Sequence, residues 1–600
     1  MSAAPVSPGV LAGQWALLLF GALQRAGVRD VVVSPGSRST PFAWGAWHTR
    51  GLALHPVVDE RSAAFFALGL ARAGGRPAVL LCTSGSAAAN YYPAVVEAAL
   101  ARVPLLIVTA DRPLDVQHAD APQTIDQLKL YGDHVRRFFD LEPPNVDPGA
   151  LAALPRIAAQ ACLLATDPEP GPVHLNCRAR KPLEPAAPAT EADLQLAAAV
   201  ARLLEAGVVR AAPYERRPDV GALEALASRL ASARRAVVAC GPVPVNAGAA
   251  LRGAIDALCR AGSLPLFAEA TSQLRFGTSA AGSADAFGWL IGAGAPDDLV
   301  PDLVLRVGAP LTSAAVDGLF ARARPPGLHL LAEHGLPDPL SCAQSVVLGP
   351  LAASVQALAG LLQARGENRA QREYRQRIER ASARVWQACA AELAGEAELI
   401  EPQAVRLAVA ALPPGAQLMV GNSLPLREVD ACVPAHARAV HVLHQRGANG
   451  IDGLVSGAAG AAVAAGAPTL LLLGDVSLAH DLGGLSLLRR VQVPLALVVL
   501  DNAGGRIFEQ LPVSGLFESD PGFERLFVTP PELALEHAGP LFGLAYVAPR
   551  SAVELDAALR EALSVPRATL VHVRVPPHSA RLFRERMRRR VDGLSRGACA

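Results

Sequence analysis

The chain has 600 residues, 51% of them hydrophobic and 18% charged, with a formal net charge of +1; such a length accommodates about three or four domains, each with its own core. A charge this close to neutral, with no basic run before the five arginines of Arg584 to Arg590, argues against a nucleic-acid partner and reads that tail as a solvated helix. Nine scattered cysteines without a Cys-x-x-Cys pair suit a reducing cytoplasm better than a disulfide or zinc framework, and neither lysine, Lys129 or Lys181, sits in a P-loop.

In chain order, short apolar runs alternate with Ala-rich helical stretches, the pattern of βα units and parallel sheets. The first block predicts strands at Val31 to Val33, Ala78 to Cys82, Leu105 to Thr109 and Val173 to Asn176, and closes in a Pro-rich linker from Lys181 to Thr190. The second predicts strands at Ala236 to Cys240, Leu264 to Ala268, Leu303 to Val307 and Leu328 to Ala332, then a charged helix over Asn368 to Arg384. The third predicts Gln417 to Val420, Val440 to Leu443, Thr469 to Leu473, Leu495 to Leu500 and Thr569 to Val573. Leu454 to Gly474 carries no charge, but Gly457, Gly460, Gly466 and Pro468 divide it into a small-residue helix, a turn and a strand. No stable membrane insertion, no signal peptide and a cytoplasmic location are expected. The fold class is α/β: three open parallel-sheet domains with helices on both faces, over 1–185, 191–366 and 395–600.

Polar loops follow several of these strands, where open α/β sheets bind ligands. Gly474-Asp475-Val476-Ser477 ends one strand of the third block, and Asn502, followed by Ala503 and Gly504, ends the next. A carboxylate, an amide oxygen and a glycine carbonyl suit a hard cation that keeps phosphate oxygens and water as its other ligands. In the first block, Ser34-Pro35-Gly36-Ser37-Arg38-Ser39-Thr40-Pro41 places Arg38 between hydroxyls, a seat for a carboxylate or phosphate. Asp59-Glu60-Arg61-Ser62 meets a helix start; Asp59 or Ser62 suits its cap, and Glu60 is expected to be a buried carboxylate. Thr83-Ser84-Gly85-Ser86 opens a helix with free N–H groups and hydroxyls, and Thr109-Ala110-Asp111-Arg112-Pro113 follows the next strand.

With Gly421-Asn422-Ser423 and Arg446-Gly447-Ala448-Asn449-Gly450-Ile451-Asp452-Gly453, these motifs in this order closely resemble the 2-succinyl-5-enolpyruvyl-6-hydroxy-3-cyclohexene-1-carboxylate synthase family of menaquinone biosynthesis. That family belongs to the thiamine-diphosphate enzymes, and the arginine-bearing loops distinguish it from its superfamily. The resemblance implies that the first block binds the pyrimidine of thiamine diphosphate, the third binds the diphosphate with Mg²⁺ or Mn²⁺, and the middle block is structural. It implies a homodimer or homotetramer, since in the family the two cofactor-binding blocks usually come from different subunits. The implied reaction decarboxylates 2-oxoglutarate and adds the succinyl carbanion to isochorismate.

Residue by residue, the resemblance implies Glu60 as the carboxylate against the aminopyrimidine. It implies cofactor contacts from Thr83, Ser84, Gly85, Asn422, Ile451, Gly474, Asp475, Val476, Ser477, Asn502, Ile507 and Phe508, and metal ligation by Asp475, Asn502 and the Gly504 carbonyl. Ser37, Arg38, Arg112 and Gln123 fall to isochorismate, Ser423 and Arg427 to the distal carboxylate of the succinyl group, and Arg446 lies between the two substrates. Four residues apart, Ser423 and Arg427 would share a helix face if that segment is helical. Two departures stand out. A cation common in relatives after Leu303 to Val307 is replaced by Gly308 to Ala315, with Arg306, Arg322 and Arg324 as possible substitutes, and Asp501 stands where Asn is usual.

Overall fold

The structure, a computed structural model, describes residues 5–597 other than 214, 280 and 518–519; the outermost residues of the first and third expected segments lie outside the described residues. Three sheets form, and every strand pairing within them is parallel. The first runs Ala53–Pro56, Asp30–Val33, Ala78–Cys82, Leu105–Asp111, Pro172–Arg178 and Arg137–Leu141 across its width. The second runs Ala343–Leu348, Gly327–Ala332, Leu303–Val307, Ala236–Cys240 and Leu266–Ala268. The third runs His441–His444, Gln417–Val420, Thr469–Gly474, Leu495–Asp501, Ala568–Arg574 and Ala545–Val547.

Interior strands are continuous apolar runs because both faces are covered. In the second sheet, Ala236, Val238 and Cys240 face a core with Leu226, Leu258 and Leu358, while Val237 and Ala239 face another with Tyr374, Ile378 and Phe583. The sequence pattern misses Ala53–Pro56, Arg137–Leu141, Ala343–Leu348 and Ala545–Val547, and all four are edge strands. They are half-buried or mixed in exposure, so they lack the apolar run that marks their neighbours.

By compactness the chain forms two units: Met1–Tyr214 with Gln445–Gly466 and His480–Arg490, and Glu215–His444 with Ala467–Ala479 and Val491–Ala600. The second unit holds two sheets because the C-terminal helix, Ser579–Gly597, buries Phe583, Met587 and Val591 in a core of the second sheet. This corrects the expectation of a solvated arginine tail. Arg584 bonds the fully buried Glu428 at 2.8 Å, and Arg586 and Arg590 pair with Glu392.

The first unit gains the helix Leu454–Ala465, which lies in sequence between strands of the third sheet but packs on the helix Glu60–Gly74. Glycines set the approach: a Cβ on Gly69 would lie 2.0 Å from the Gly457 carbonyl oxygen, and one on Gly460 would lie 2.0 Å from that of Phe66. At 12 residues this helix is too short to span a bilayer. Among the described residues one helix, Pro148–Thr166, is long and apolar enough to do so, but it turns Leu151, Leu154, Ala158 and Ala161 into the core of the first unit.

A polar seam crosses the two strands Leu105–Asp111 and Pro172–Arg178. Thr109 Oγ1 bonds His174 Nε2 at 2.8 Å and Asn176 Oδ1 at 2.9 Å, and Asn176 Nδ2 and Arg178 Nη1 donate to Asp111 Oδ2 at 2.9 and 3.0 Å. Burial lowers the His174 pKa to about 3.

Gly69→Ala would favour an open helix by about 1 kcal/mol. Here it should instead cost ~1–3 kcal/mol through overpacking and lower the melting temperature; an unchanged or raised value would show slack between the two helices. His174 carries a depressed pKa in the folded state, so its contribution is whole above its unfolded pKa of about 6.5. It is lost as pH falls from there towards 3, because the unfolded chain takes up a proton the folded one refuses. His174→Gln should flatten stability against pH in that window by about one proton, measured by denaturant titration at several pH values; an unchanged slope contradicts it.

Candidate active site

In the first unit, the loops at successive strand ends are bonded to one another. Arg38, in the turn Ser37–Ser39, donates its backbone N–H to Thr83 Oγ1 at 3.2 Å and Nη1 to the Ala179 carbonyl at 2.8 Å. Gly36 permits this approach, since a Cβ there would lie 2.4 Å from Thr83 Cβ. Ser37 is exposed beside it. Arg112 donates Nη1 to Ser84 Oγ at 3.0 Å and Nη2 to the Pro122 carbonyl. Ser84 Oγ donates in turn to the Gln123 carbonyl at 3.0 Å, and Gln123 Nε2 returns a bond to the Ser84 carbonyl at 3.0 Å. Gly85 lies against Gln123, which takes a φ of +58°.

Ser37, Arg38, Thr83, Ser84, Gly85, Arg112 and Gln123 thus lie in loops joined to one another, with Thr83, Ser84 and Gly85 buried among them. The helix opening there, Ser86–Asn90, has only five residues, so the loop is organised by these side chains rather than by a helix terminus. Burial first, and then the neighbouring charge of Arg112, lower the Arg38 pKa, with Asp111 opposing them. Two guanidinium groups are therefore held near each other, an arrangement that an anion would relieve.

Asp59 is the cap of helix Glu60–Gly74, accepting from Arg61 and Ser62, which leaves Glu60 in the first turn. Glu60 is half-buried rather than buried, and its charge is felt by the buried Cys82 and Tyr91. The segment bearing Arg446 and Ile451 is tied down by Glu97, whose carboxylate accepts the N–H groups of Gly447 and Ala448 at 3.2 and 2.7 Å and Arg72 Nη2 at 2.9 Å. Asp481 accepts both the N–H and the hydroxyl of Ser456 at the start of the helix that follows.

In the second unit, Gly474-Asp475-Val476-Ser477 leaves one strand of the third sheet and Asn502-Ala503-Gly504 leaves its neighbour. Asp475 Oδ2 accepts the Gly504 N–H at 2.7 Å, and Oδ1 accepts that of Val476 at 2.9 Å. Burial raises the Asp475 pKa to about 6 against those two bonds, with Asp501 adding to the rise. Asn502 donates Nδ2 to Glu401 Oε2 at 2.8 Å, while its Oδ1 is buried without a hydrogen-bond partner. Gly504 has a φ of +117°, and a Cβ there would lie 2.4 Å from the Val528 carbonyl oxygen. Its own carbonyl accepts the Arg506 N–H at 2.8 Å, which leaves a second lone pair.

A buried carboxylate, a partnerless amide oxygen and a carbonyl on a residue that must be glycine fit a hard divalent cation shared with phosphate. Among the described residues no group of three or more His, Cys, Asp or Glu forms a metal cage of its own. Ile507 and Phe508 lie half-buried in the turn Arg506–Gln510, with Phe508 edge-on to Phe527 at 5.6 Å.

Ser423 is not inside a helix: it precedes Leu424–Cys432 at a φ of +74°, because the chain turns sharply after the buried Asn422. Arg427 Nη1 folds back onto the Ser423 carbonyl at 2.9 Å, so the two residues are brought together by the turn rather than by a shared helix face. The unusual Asp501 has its own partner, His572 Nε2 at 2.8 Å, whose Nδ1 meets the Tyr546 hydroxyl at 2.9 Å. Of the candidate cation substitutes in the second sheet, Arg306 is buried, and burial lowers its pKa against the charges of Asp338 and Asp317.

The sequence gives no notice of Glu97, Glu401 or His572. Burial raises the Glu401 pKa to about 8, with the charge of Glu428 adding to the effect and the bond from Asn502 opposing it.

The family model for the N-terminal TPP binding domain of thiamine pyrophosphate enzymes matches residues 14–130, and that for the C-terminal TPP binding domain matches 435–573. The chain is 44% identical to a 2-succinyl-5-enolpyruvyl-6-hydroxy-3-cyclohexene-1-carboxylate synthase of Sorangium cellulosum, over 98% of this chain and 97% of the relative. It is 41% identical to the synthase of that name from Myxococcus xanthus, over 94% of each. Among solved structures, benzoylformate decarboxylase from Polynucleobacter necessarius shares the fold at a TM-score of 0.66 and 15% identity, over 94% of this chain and 98% of that one. A putative thiamin diphosphate-dependent enzyme from Mycobacterium smegmatis has the same TM-score at 17% identity, over 93% and 99%. The chain belongs to the 2-succinyl-5-enolpyruvyl-6-hydroxy-3-cyclohexene-1-carboxylate synthase family and is a thiamine-diphosphate-dependent enzyme.

Proposed function

We propose that this protein decarboxylates 2-oxoglutarate and adds the succinyl fragment across the ring alkene of isochorismate, giving 2-succinyl-5-enolpyruvyl-6-hydroxy-3-cyclohexene-1-carboxylate and CO₂ in menaquinone biosynthesis. It acts in the cytoplasm as a homodimer or homotetramer, with Mg²⁺ or Mn²⁺. The observation that carries the choice of substrate is the Arg38 and Arg112 pair, two cations held near each other on one polar surface. Isochorismate is a dicarboxylate, and Arg forks match carboxylates. An enzyme for uncharged 2-oxoacids would have no use for that pair.

Thiamine diphosphate, when bound, supplies the carbanion chemistry that releases CO₂ and carries the remaining acyl fragment. Asp475, Asn502 and the Gly504 carbonyl hold the cation, and Gly474, Val476, Ser477 and Asn422 line the diphosphate. Ile451, Ile507 and Phe508 would shield the cofactor from water, and Thr83, Ser84 and Gly85 would contact it. Glu60 holds a proton against the aminopyrimidine. Arg38, Arg112, Gln123 and Ser37 orient isochorismate, Ser423 and Arg427 take the distal carboxylate of 2-oxoglutarate, and Arg446 adds charge between the two substrates.

Glu60→Gln should fold and bind cofactor yet lose turnover by about 10²- to 10⁴-fold; near-normal turnover removes Glu60 from the catalytic role. Arg427→Ala should raise the KM for 2-oxoglutarate about 10- to 100-fold through loss of a charge-assisted contact, with the KM for isochorismate little changed. An effect confined to isochorismate reverses the assignment.

A further inference from the structure

An asparagine is a conditional metal ligand. Turned by half a rotation about its last bond, it presents N–H where oxygen is needed, and only its hydrogen-bond partners fix the choice. Asn502 is buried, and the partner on its nitrogen side is Glu401, whose Oε2 accepts from Nδ2 at 2.8 Å. With the nitrogen engaged there, Oδ1 faces the other way, and it is this atom that is buried without a partner.

Glu401 is itself held in place. It is 1% exposed, it begins the helix Glu401–Ala410 with Pro402 behind it, and its backbone N–H donates to Ser579 Oγ at 3.3 Å. That helix buries Ala404, Val405 and Ala408 in the core beneath the third sheet. The backbone that carries the carboxyl is therefore anchored, its Oε2 engages the amide, and its Oε1 is buried without a hydrogen-bond partner.

We propose that Glu401 is a positioning residue: it locks the Asn502 amide so that its oxygen, and not its nitrogen, is presented to the divalent cation that accompanies the cofactor diphosphate. This rests on the reading of Asp475 and Asn502 as cation ligands. Outer partners of metal ligands commonly set affinity in this way, and their loss costs about 10- to 100-fold in binding.

The test is Mn²⁺ binding in the presence of thiamine diphosphate, followed by the loss of the free Mn²⁺ resonance, with melting temperature recorded for every variant. Glu401→Gln keeps an accepting oxygen and the side-chain length; Glu401→Met keeps the length and removes the acceptor. The Met variant should bind Mn²⁺ about 10- to 100-fold more weakly, while the Gln variant stays within about threefold of the parent. Parent-like binding by Glu401→Met overturns the proposal, as does equal weakening in both variants.

Asp475→Ala tests the underlying reading separately. If it also binds Mn²⁺ normally, the ligand assignment has failed and the positioning role falls with it; if it alone loses binding, only the role of Glu401 is refuted. Should Glu401→Met not fold, Glu401→Ala takes its place against the same tenfold threshold, and failure of both to fold assigns Glu401 to the fold instead and overturns the proposal.

Discussion

The hydrogen bond from the Gly504 N–H to Asp475 Oδ2, 2.7 Å long and buried, ties together the loops leaving two neighbouring strands of the third sheet. Both strands run the same way in a parallel ladder from Thr469 opposite Leu495 to Gly474 opposite Leu500, so both polar turns emerge at one edge of the sheet. The turn at Gly504 exists only because the residue has no Cβ to meet the Val528 carbonyl. Arg506 secures it from behind, reaching the Asn502 carbonyl at 3.3 Å and the carboxylates of Glu509 and Glu524 at 3.0 and 2.8 Å. The proposed cation site is thus a property of sheet geometry, with side chains added to it.

The first unit solves a different problem, that of holding cationic side chains in place without neutralising them. The arginines are positioned chiefly by neutral acceptors. Arg38 bonds the Ala179 carbonyl, and Arg112 bonds Ser84 and the Pro122 carbonyl, so their charge is oriented but not cancelled. The rigid base beneath Arg112 is the buried Asp111–Arg178 ion pair at 3.0 Å. Gln123 beside Arg112, and Ser423 and Ala503 in the second unit, are among the residues that adopt positive φ without being glycine. Such conformations persist only where the surroundings over-determine them.

Sequence made the interior of each sheet legible, because a strand covered on both faces must be an apolar run. Four of the six edge strands were illegible for the same reason: Ala53–Pro56 and Ala545–Val547, for instance, have no such run to show. The motif loops were visible as polar interruptions at strand ends. Glu401, distant in sequence from the asparagine it holds, was not visible, since no local spacing relates the two. His572 was hidden likewise, although Asp501 flagged the position as unusual and the Asp501–His572 bond now accounts for it. Ser423 misled because a sharp turn and a helix start share the same residue types, and the C-terminal arginines misled because composition cannot show that Phe583, Met587 and Val591 anchor their helix in a core.

The most direct measurement is the loss of isochorismate absorbance in a mixture of purified protein, thiamine diphosphate, Mg²⁺ and 2-oxoglutarate, with each component omitted in turn. A loss that requires every component is the predicted result. Persistence of isochorismate while 2-oxoglutarate or pyruvate still releases CO₂ would contradict it and would assign the arginine-lined surface to a different acceptor.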